Sequence, residues 1–246
     1  MRKASISTNI TRTARKFSCA LVPQFIKLEP INALSKRTKL LLRISDIEQL
    51  QTALKQYVLH NAGHFDPVEF EVVDEQNDIV ILTAQFQPEE FIVYEGTKQV
   101  LSIFLAEADP DADEFTVCKL RHPLSGIKIY EMVHTPNKKS CYITNCIDET
   151  TKCQLQTHST CWRQMLSLCG FMFTQTYWTA DQEGVNIGKV IPDGAFFAEN
   201  SMKVEWCDEA DMELRTLIVC SGLVLMIKEA FPALLHIIKQ NKGQQT

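Results

Sequence analysis

The sequence predicts a mainly β protein that buries one helix near its C-terminus, and two observations carry this prediction. Between residues 68 and 206, short apolar or alternating segments recur at near-regular spacing, separated by turn signals. That pattern is typical of an antiparallel barrel or sandwich. Further on, the chain from Thr216 to Ile227 is apolar or small on every side. A helix that is hydrophobic all round lies in a large core or in a membrane.

The length of this apolar helix favours the core. The segment MELRTLIVCSGLVLMI (residues 212–227) is flanked by charges, and its apolar part rises only about 18 Å. A bilayer requires roughly 20 apolar residues. We expect Asp208 to be the N-cap, with Glu209 and Asp211 placing negative charge at the positive end of the helix dipole.

The remaining elements follow from hydrophobic periodicity. Residues 44–59 show a helical period, with Ser45 or Asp46 as a cap. Residues 68–72 alternate apolar and acidic side chains, as a half-buried strand does. The predicted strands are residues 68–72, 79–86, 91–94, 99–105, 115–120, 127–133, 141–146, 171–178, 185–191 and 202–206. No Gly- or Pro-rich linker divides them, so we predict one domain.

Composition and charge limit the function classes. The 246 residues carry a net charge of −5, which argues against a general nucleic-acid binder because no basic excess exists to neutralise phosphates. Nine cysteines without a secretory signal indicate free thiols in a reducing compartment.

The N-terminal segment has the composition of a mitochondrial transit peptide. No acidic residue precedes Glu29, serine and threonine are frequent, and the basic residues are Arg2, Lys3, Arg12, Arg15, Lys16 and Lys27. A disordered basic tail and a helix lying on an anionic membrane are the alternatives. We therefore expect a mitochondrial location, or otherwise the cytosol at a membrane surface.

Three groups of residues were weighed as metal sites. Asp109, Asp111 and Asp113 begin like an EF-hand loop, but Glu114 and Leu120 stand where that loop has glycine and glutamate, so a solvated acidic loop is favoured. His60 and His64 have i, i+4 spacing, but glycine and proline nearby interrupt a helix. The third group is too widely spaced for structural zinc and is interpreted as free thiols with a nearby histidine: Cys141, Cys146, Cys153, Cys161 and His158.

Catalytic motifs are missing from the sequence. It contains no GxSxG elbow, no P-loop, no HExxH and no dinucleotide fingerprint. We therefore assign no catalytic residues and predict a protein that is not an enzyme.

Motifs in the last third resemble the phospholipid scramblase and tubby-like superfamily. One stretch runs from Gly170-Phe171-Met172-Phe173 through Gln175 to Trp178. The other comprises Ala198-Glu199-Asn200, Val204-Glu205-Trp206, Glu209-Ala210-Asp211 and Leu214-Arg215. The resemblance covers roughly residues 68–231 and implies a closed antiparallel barrel of about twelve strands that encloses the C-terminal helix. We assign residues 1–35 to a tail or targeting segment, 36–235 to the barrel and 236–246 to a C-terminal tail.

This sequence departs from the family pattern in several places. The proline-rich N-terminal region and the clustered-cysteine palmitoylation tract are both missing. Cys207 stands where a proline is expected, and one residue is inserted between Asn200 and Val204.

The resemblance implies a membrane-associated, phospholipid-binding, scramblase-like protein. Lys138 and Lys139 would contact anionic head groups, but two lysines supply only about 1 kcal/mol each, so a second anchor is required. A protein-interaction scaffold and a small-ligand-binding barrel are the alternatives. The family's proposed calcium site would fall on Glu205, Glu209 and Asp211, for which we favour helix capping; we expect no cofactor to be required for folding, with calcium as the ion to test.

Overall fold

The computed structural model describes residues 26–60, 67–87, 89–106, 112–169, 174, 176–193 and 201–231. Its helices are α1 (Ile47–His60), α2 (Cys161–Leu168) and α3 (Met212–Ala230). Its strands are β1 (Lys39–Ile44), β2 (Val68–Asp74), β3 (Ile79–Phe86), β4 (Glu90–Glu95), β5 (Lys98–Leu105), β6 (Phe115–Arg121), β7 (Lys128–Thr135), β8 (Ser140–Asn145), β9 (Thr151–Ser159), β10 (Thr176–Gln182), β11 (Val185–Asp193) and β12 (Ser201–Trp206).

The twelve strands form one closed antiparallel barrel. Each strand from β2 to β12 pairs with the strand before it, and β1 pairs with both β2 and β12, which closes the ring. The predicted fold class is therefore confirmed. Two strands were not predicted. β1 was not recognised as a strand because its apolar run meets the helical pattern that follows, and β9 was missed because only Cys153 and Leu155 are apolar among its inward positions.

Helix α3 lies inside the barrel, as the sequence predicts. Every residue from Leu214 to Ile227 is buried, which means that all faces of the helix are covered. The helix reaches the wall on several sides: Ile218 approaches Gly188 in β11, and Lys228 lies over the Phe115 ring in β6. The apolar composition of this segment is thus explained by a wall that surrounds it.

Two glycines bring α3 close to one side of the wall. A Cβ on Gly222 would lie 2.6 Å from Leu42 Cδ1 and 2.8 Å from Val204 Cγ1. A Cβ on Gly188 would lie 2.6 Å from the carbonyl oxygen of Glu205. The helix therefore packs most closely against β11, β12 and β1, and this off-centre position leaves space on the side of β6 to β10.

The start of α3 differs from the prediction. Asp211, not Asp208, is the N-cap, and its Oδ1 accepts a hydrogen bond from the Leu214 N–H at 2.8 Å. The prediction of Asp208 was wrong because Ala210 N–H donates to the Cys207 carbonyl, which forms a separate turn before the helix. In α1, Asp46 caps the helix as one of the two predicted residues, accepting from Glu48 N–H at 2.8 Å.

Residues just before the barrel pack into its core. Ile31 and Leu34 are buried, although the boundary at residue 36 assigned them to the N-terminal segment. The buried Arg215 guanidinium donates to the carbonyls of Leu34 at 3.2 Å and Ser35 at 2.8 Å. This arginine joins α3 to the chain that enters β1.

Candidate functional site at the α2 rim

The candidate site lies at one edge of the barrel, which we call the α2 rim. In an antiparallel ring, alternate connections lie at the same edge, so this rim carries the β1–β2 connection with α1 and also the β3–β4, β5–β6, β7–β8, β9–β10 and β11–β12 connections. Helix α2 belongs to the β9–β10 connection, and α3, which starts at the opposite rim, ends here. The rim therefore combines a helix, a lysine-containing turn and the end of the central helix.

Helix α2 turns an apolar face outward. Trp162, Met165 and Leu168 are exposed to 64%, 51% and 81%, respectively. With the exposed thiols Cys161 and Cys169, they fall within about 120° of the helix circumference. A surface helix of a globular protein normally turns its apolar stripe toward the core, so the outward orientation makes this face a candidate contact surface.

The opposite side of α2 is held against the barrel by polar and aromatic contacts. Thr160 caps the helix by accepting from Arg163 N–H at 3.3 Å. The Arg163 guanidinium lies 5.3 Å from the centroid of the Tyr177 ring, and His158 stacks on the same ring at 5.2 Å. His158 Nε2 lies 2.9 Å from the Thr179 hydroxyl. These contacts fix the orientation in which the apolar face points away from the protein.

A cavity of about 550 Å³ opens at the same rim. It occupies the space that the off-centre helix α3 leaves beside β6 to β10. Its apolar wall includes Phe115, Trp178 and Leu225, and its hydroxyl groups come from Thr157, Ser167, Thr174 and Thr176. Because Ser167 belongs to α2, the cavity and the outward apolar face share one helix.

Two charged residues at the end of α3 line this cavity. The Lys228 ammonium lies 5.7 Å from the centroid of the Phe115 ring, and His134 packs edge-on against that ring at 5.1 Å. Glu229 accepts a hydrogen bond from the Thr174 hydroxyl at 3.3 Å. Burial raises the pKa of Glu229 despite that hydrogen bond and the nearby Lys228. The surrounding groups therefore offset only part of the free-energy cost of removing the Glu229 carboxylate from water.

A second cavity, of about 300 Å³, lies at the opposite rim. Tyr130 donates to Glu213 at 2.6 Å there, and Lys152 lies 3.5 Å from the same carboxylate. Burial and this carboxylate raise the pKa of Tyr130. We place the candidate site at the α2 rim because the larger of these two cavities lies there, beside the outward apolar face of α2.

The predicted head-group lysines lie at the α2 rim. Lys138 and Lys139 form the β7–β8 turn, and both are exposed. The Lys139 carbonyl accepts from Thr157 N–H at 3.0 Å, which places the turn beside the strand that leads into α2. Lys138 lies over the Tyr142 ring, 5.8 Å from its centroid.

The three predicted calcium ligands have separate environments. Glu205 lies on β12 with Lys39 Nζ at 3.7 Å, Asp211 caps α3, and Glu209 is exposed in the loop between them. A hydrogen bond with Cys207 lowers the pKa of Glu209. Within the described ranges, no group of three or more His, Cys, Asp or Glu side chains is arranged to hold a metal ion.

The structure describes only some residues of the other predicted metal sites. Burial raises the pKa of Cys141 to about 11 and of Cys153 to about 12. Cys146 is half-buried and Cys161 is exposed. His64, Asp109 and Asp111 lie outside the described residues.

Sequence reasoning missed α2 and the charged end of α3. The outward face was readable as Trp162, Met165 and Leu168 at i, i+3 spacing. The helix has only eight residues between two strands, which is too few for a helical period to be recognised in the sequence. Lys228 and Glu229 were interpreted only as charges that end an apolar segment.

None of the described helices has both the length and the apolar composition needed to cross a bilayer. Comparison with protein-family models, with characterised proteins and with solved structures finds no match to this chain.

Proposed function

We propose that this protein is a membrane-associated, phospholipid-binding barrel of the scramblase-like kind. The observation that carries the proposal is the outward apolar face of α2, with Trp162 among its residues. Tryptophan is enriched at membrane–water interfaces because one end of its ring is apolar and the other donates a hydrogen bond. Burying a leucine or methionine fully contributes about 1.5–3 kcal/mol each, so the three exposed side chains together supply the anchor that two lysines lack.

Charge supports the same orientation. Lys138 and Lys139 lie at the rim that carries α2, so an anionic surface met by the apolar face would also meet these lysines. Each contributes about 1 kcal/mol near such a surface. An apolar anchor plus a basic turn is the two-signal combination that stable peripheral binding requires.

The superfamily resemblance and the mitochondrial location belong to this proposal. The closed barrel around a C-terminal helix is the architecture that the resemblance implies, and it supports membership without establishing it. The basic composition of the N-terminus supports mitochondrial targeting; most of that segment, residues 1–25, lies outside the described part of the chain. We propose no cofactor for lipid binding.

A co-sedimentation assay with vesicles tests the proposal. Leu168→Ser removes an apolar side chain that is 81% exposed on α2, and Leu124→Ser is a matched control at 84% exposure on the β6–β7 turn of the opposite rim. We expect L168S to weaken vesicle binding about tenfold, because about 1.4 kcal/mol is lost, while L124S binds like the parent. Lys138→Ala with Lys139→Ala should weaken binding to anionic vesicles and leave binding to neutral vesicles almost unchanged.

Two results would contradict the proposal. The first is a parent protein that sediments with no vesicle composition. The second is equal loss of binding in L124S and L168S, which would show that the α2 rim has no special part. If the protein does not bind vesicles but self-associates through α2, the result would instead favour the hypothesis of a protein-interaction scaffold.

A further inference from the structure

We propose that the 550 Å³ cavity at the α2 rim binds a phosphoethanolamine group, the zwitterionic head group in which a phosphate and a primary ammonium are joined by two carbons. This inference deepens the proposed function and rests on it for the source of the ligand. The cavity presents a cation and a carboxylate together, from Lys228 and Glu229.

The helix geometry separates the two charges. Consecutive residues of a helix project about 100° apart, so Lys228 and Glu229 do not face each other along α3. Both nevertheless line the cavity, because the helix ends within the barrel mouth. A lysine and a glutamate that line one cavity complement a ligand that carries both signs a short distance apart.

Each side of the cavity matches one end of this head group. On the cationic side, Lys228 lies beside His134 and Phe115. Its ammonium group can donate charge-assisted hydrogen bonds to the phosphate oxygens of the ligand. On the other side, the Glu229 carboxylate lies with the Thr174 and Thr176 hydroxyls, whose oxygens are 3.0 Å apart. A primary ammonium donates three hydrogen bonds, which the Glu229 carboxylate and the two hydroxyl oxygens can accept.

A primary amine fits this site better than a quaternary one. Choline is recognised by several aromatic faces that surround it. Here the Phe115 face lies beneath the Lys228 ammonium, which leaves Trp178 as the one other phenyl or indole face among the described lining residues. Carboxylate and hydroxyl oxygens, by contrast, accept hydrogen bonds that choline cannot donate. The apolar wall at Trp178 and Leu225 leaves room for the glyceryl and first acyl carbons of a lipid.

Tryptophan fluorescence gives a direct test, because the chain has three tryptophans and one of them, Trp178, lines the cavity. In the full-length Trp162→Phe protein, titration with soluble phosphoethanolamine should change the emission saturably. Phosphocholine, ethanolamine and inorganic phosphate should bind at least tenfold more weakly. Glu229→Gln should abolish the preference for phosphoethanolamine over phosphate, and Lys228→Met should weaken binding at least tenfold. The control Glu48→Gln, at an exposed residue outside the cavity lining, should behave like its parent.

A second arm separates the sources of the ligand. Vesicles of phosphatidylcholine with and without phosphatidylethanolamine have the same net charge, so stronger binding to the latter, lost in Glu229→Gln, assigns the site to lipid. A response to soluble phosphoethanolamine without that vesicle preference supports the site and assigns it to a soluble ligand. Vesicle binding that depends on Leu168, with no saturable response to phosphoethanolamine or an equal response to phosphocholine, overturns this inference and leaves the proposed function standing.

Discussion

At the residue scale, two glycines set how closely α3 approaches the wall. A Cβ on Gly188 would meet Ile218 Cδ1 of α3 at 2.7 Å and the main-chain oxygen of Glu205 in the adjacent strand at 2.6 Å. The neighbours of a Cβ on Gly222 are methyl groups of Leu42 and Val204. Methyl groups can rotate away, but a carbonyl in a paired strand cannot. Replacing glycine by alanine inside a helix also gains about 1 kcal/mol of helix propensity.

We therefore expect Gly188→Ala to destabilise the protein more than Gly222→Ala. Overpacking costs about 1–3 kcal/mol, and only Gly222→Ala offsets part of this loss through helix propensity. Urea denaturation of the two variants measures the difference in their free energies of unfolding. An equal loss in both, or a larger loss in Gly222→Ala, would show that the main chain at Glu205 can move to accept the added methyl group.

A second residue-scale prediction concerns acid stability and His122. This buried side chain accepts hydrogen bonds at Nδ1 from Leu124 N–H at 3.3 Å and Ser125 N–H at 3.2 Å. Burial lowers its pKa below the ordinary 6.5. Its contribution to stability is therefore fully present above pH 6.5 and is lost as the pH falls from there through the folded-state pKa.

His122→Asn keeps an acceptor for the turn but cannot titrate. We expect its free energy of unfolding to depend less steeply on pH between 7 and 5 than that of the parent. Some dependence should remain, because burial and Lys228 also lower the pKa of His134. Denaturant melts across this pH range provide the comparison, and parallel curves would rule out His122 as a source of acid sensitivity.

At the element scale, the burial of α3 is the strongest sequence prediction, and it carries its own test. Leu223 is fully buried, so Leu223→Asp places an unpaired charge in the core at a cost of several kcal/mol, a large part of the stability of a domain. The same change at exposed Leu168 should alter the free energy of unfolding by about 0.5 kcal/mol or less. A soluble Leu223→Asp protein with an unchanged melting temperature would contradict the enclosed helix.

The elements also show what the sequence could and could not predict. The period of residues 68–206 and the apolar segment of α3 were sufficient to predict an antiparallel barrel or sandwich with a buried helix. The closed barrel of about twelve strands was predicted only from the superfamily resemblance. The strand β9 was missed because only two of its nine residues are apolar, and α2 because it has only two turns. The N-cap is Asp211 rather than Asp208 because the residues before it form a separate turn. Local residue preferences do not distinguish such a turn from the start of a helix.

The candidate site was less predictable than the fold for a geometric reason. Lys138 and Lys139 were chosen from a single turn, and their position beside α2 appears only when alternate connections meet at one rim. The cavity depends on α3 being off-centre, which follows from the close contacts that Gly188 makes with the helix and that Gly222 makes with the wall. These contacts join residues that are far apart in sequence, so they cannot be predicted from hydrophobic periodicity, which describes only neighbouring residues.

At the scale of the whole molecule, the central claim is that the protein meets a membrane with its α2 rim. The three tryptophans lie in distinct places: Trp162 is exposed on α2, Trp178 lines the cavity, and Trp206 is buried with its indole N–H donating to the Arg37 carbonyl at 2.6 Å. Emission from Trp162 can therefore be isolated by comparing the parent with Trp162→Phe.

The most direct measurement is quenching of Trp162 by lipids brominated at defined depths along the acyl chain. The account predicts that quenching of the parent is strongest with bromines near the head groups, that Trp162→Phe loses most of this quenching, and that Lys138→Ala with Lys139→Ala reduces it on anionic vesicles. Vesicle-bound protein in which Trp162 is not quenched at any depth would show that another surface contacts the membrane and would contradict the account.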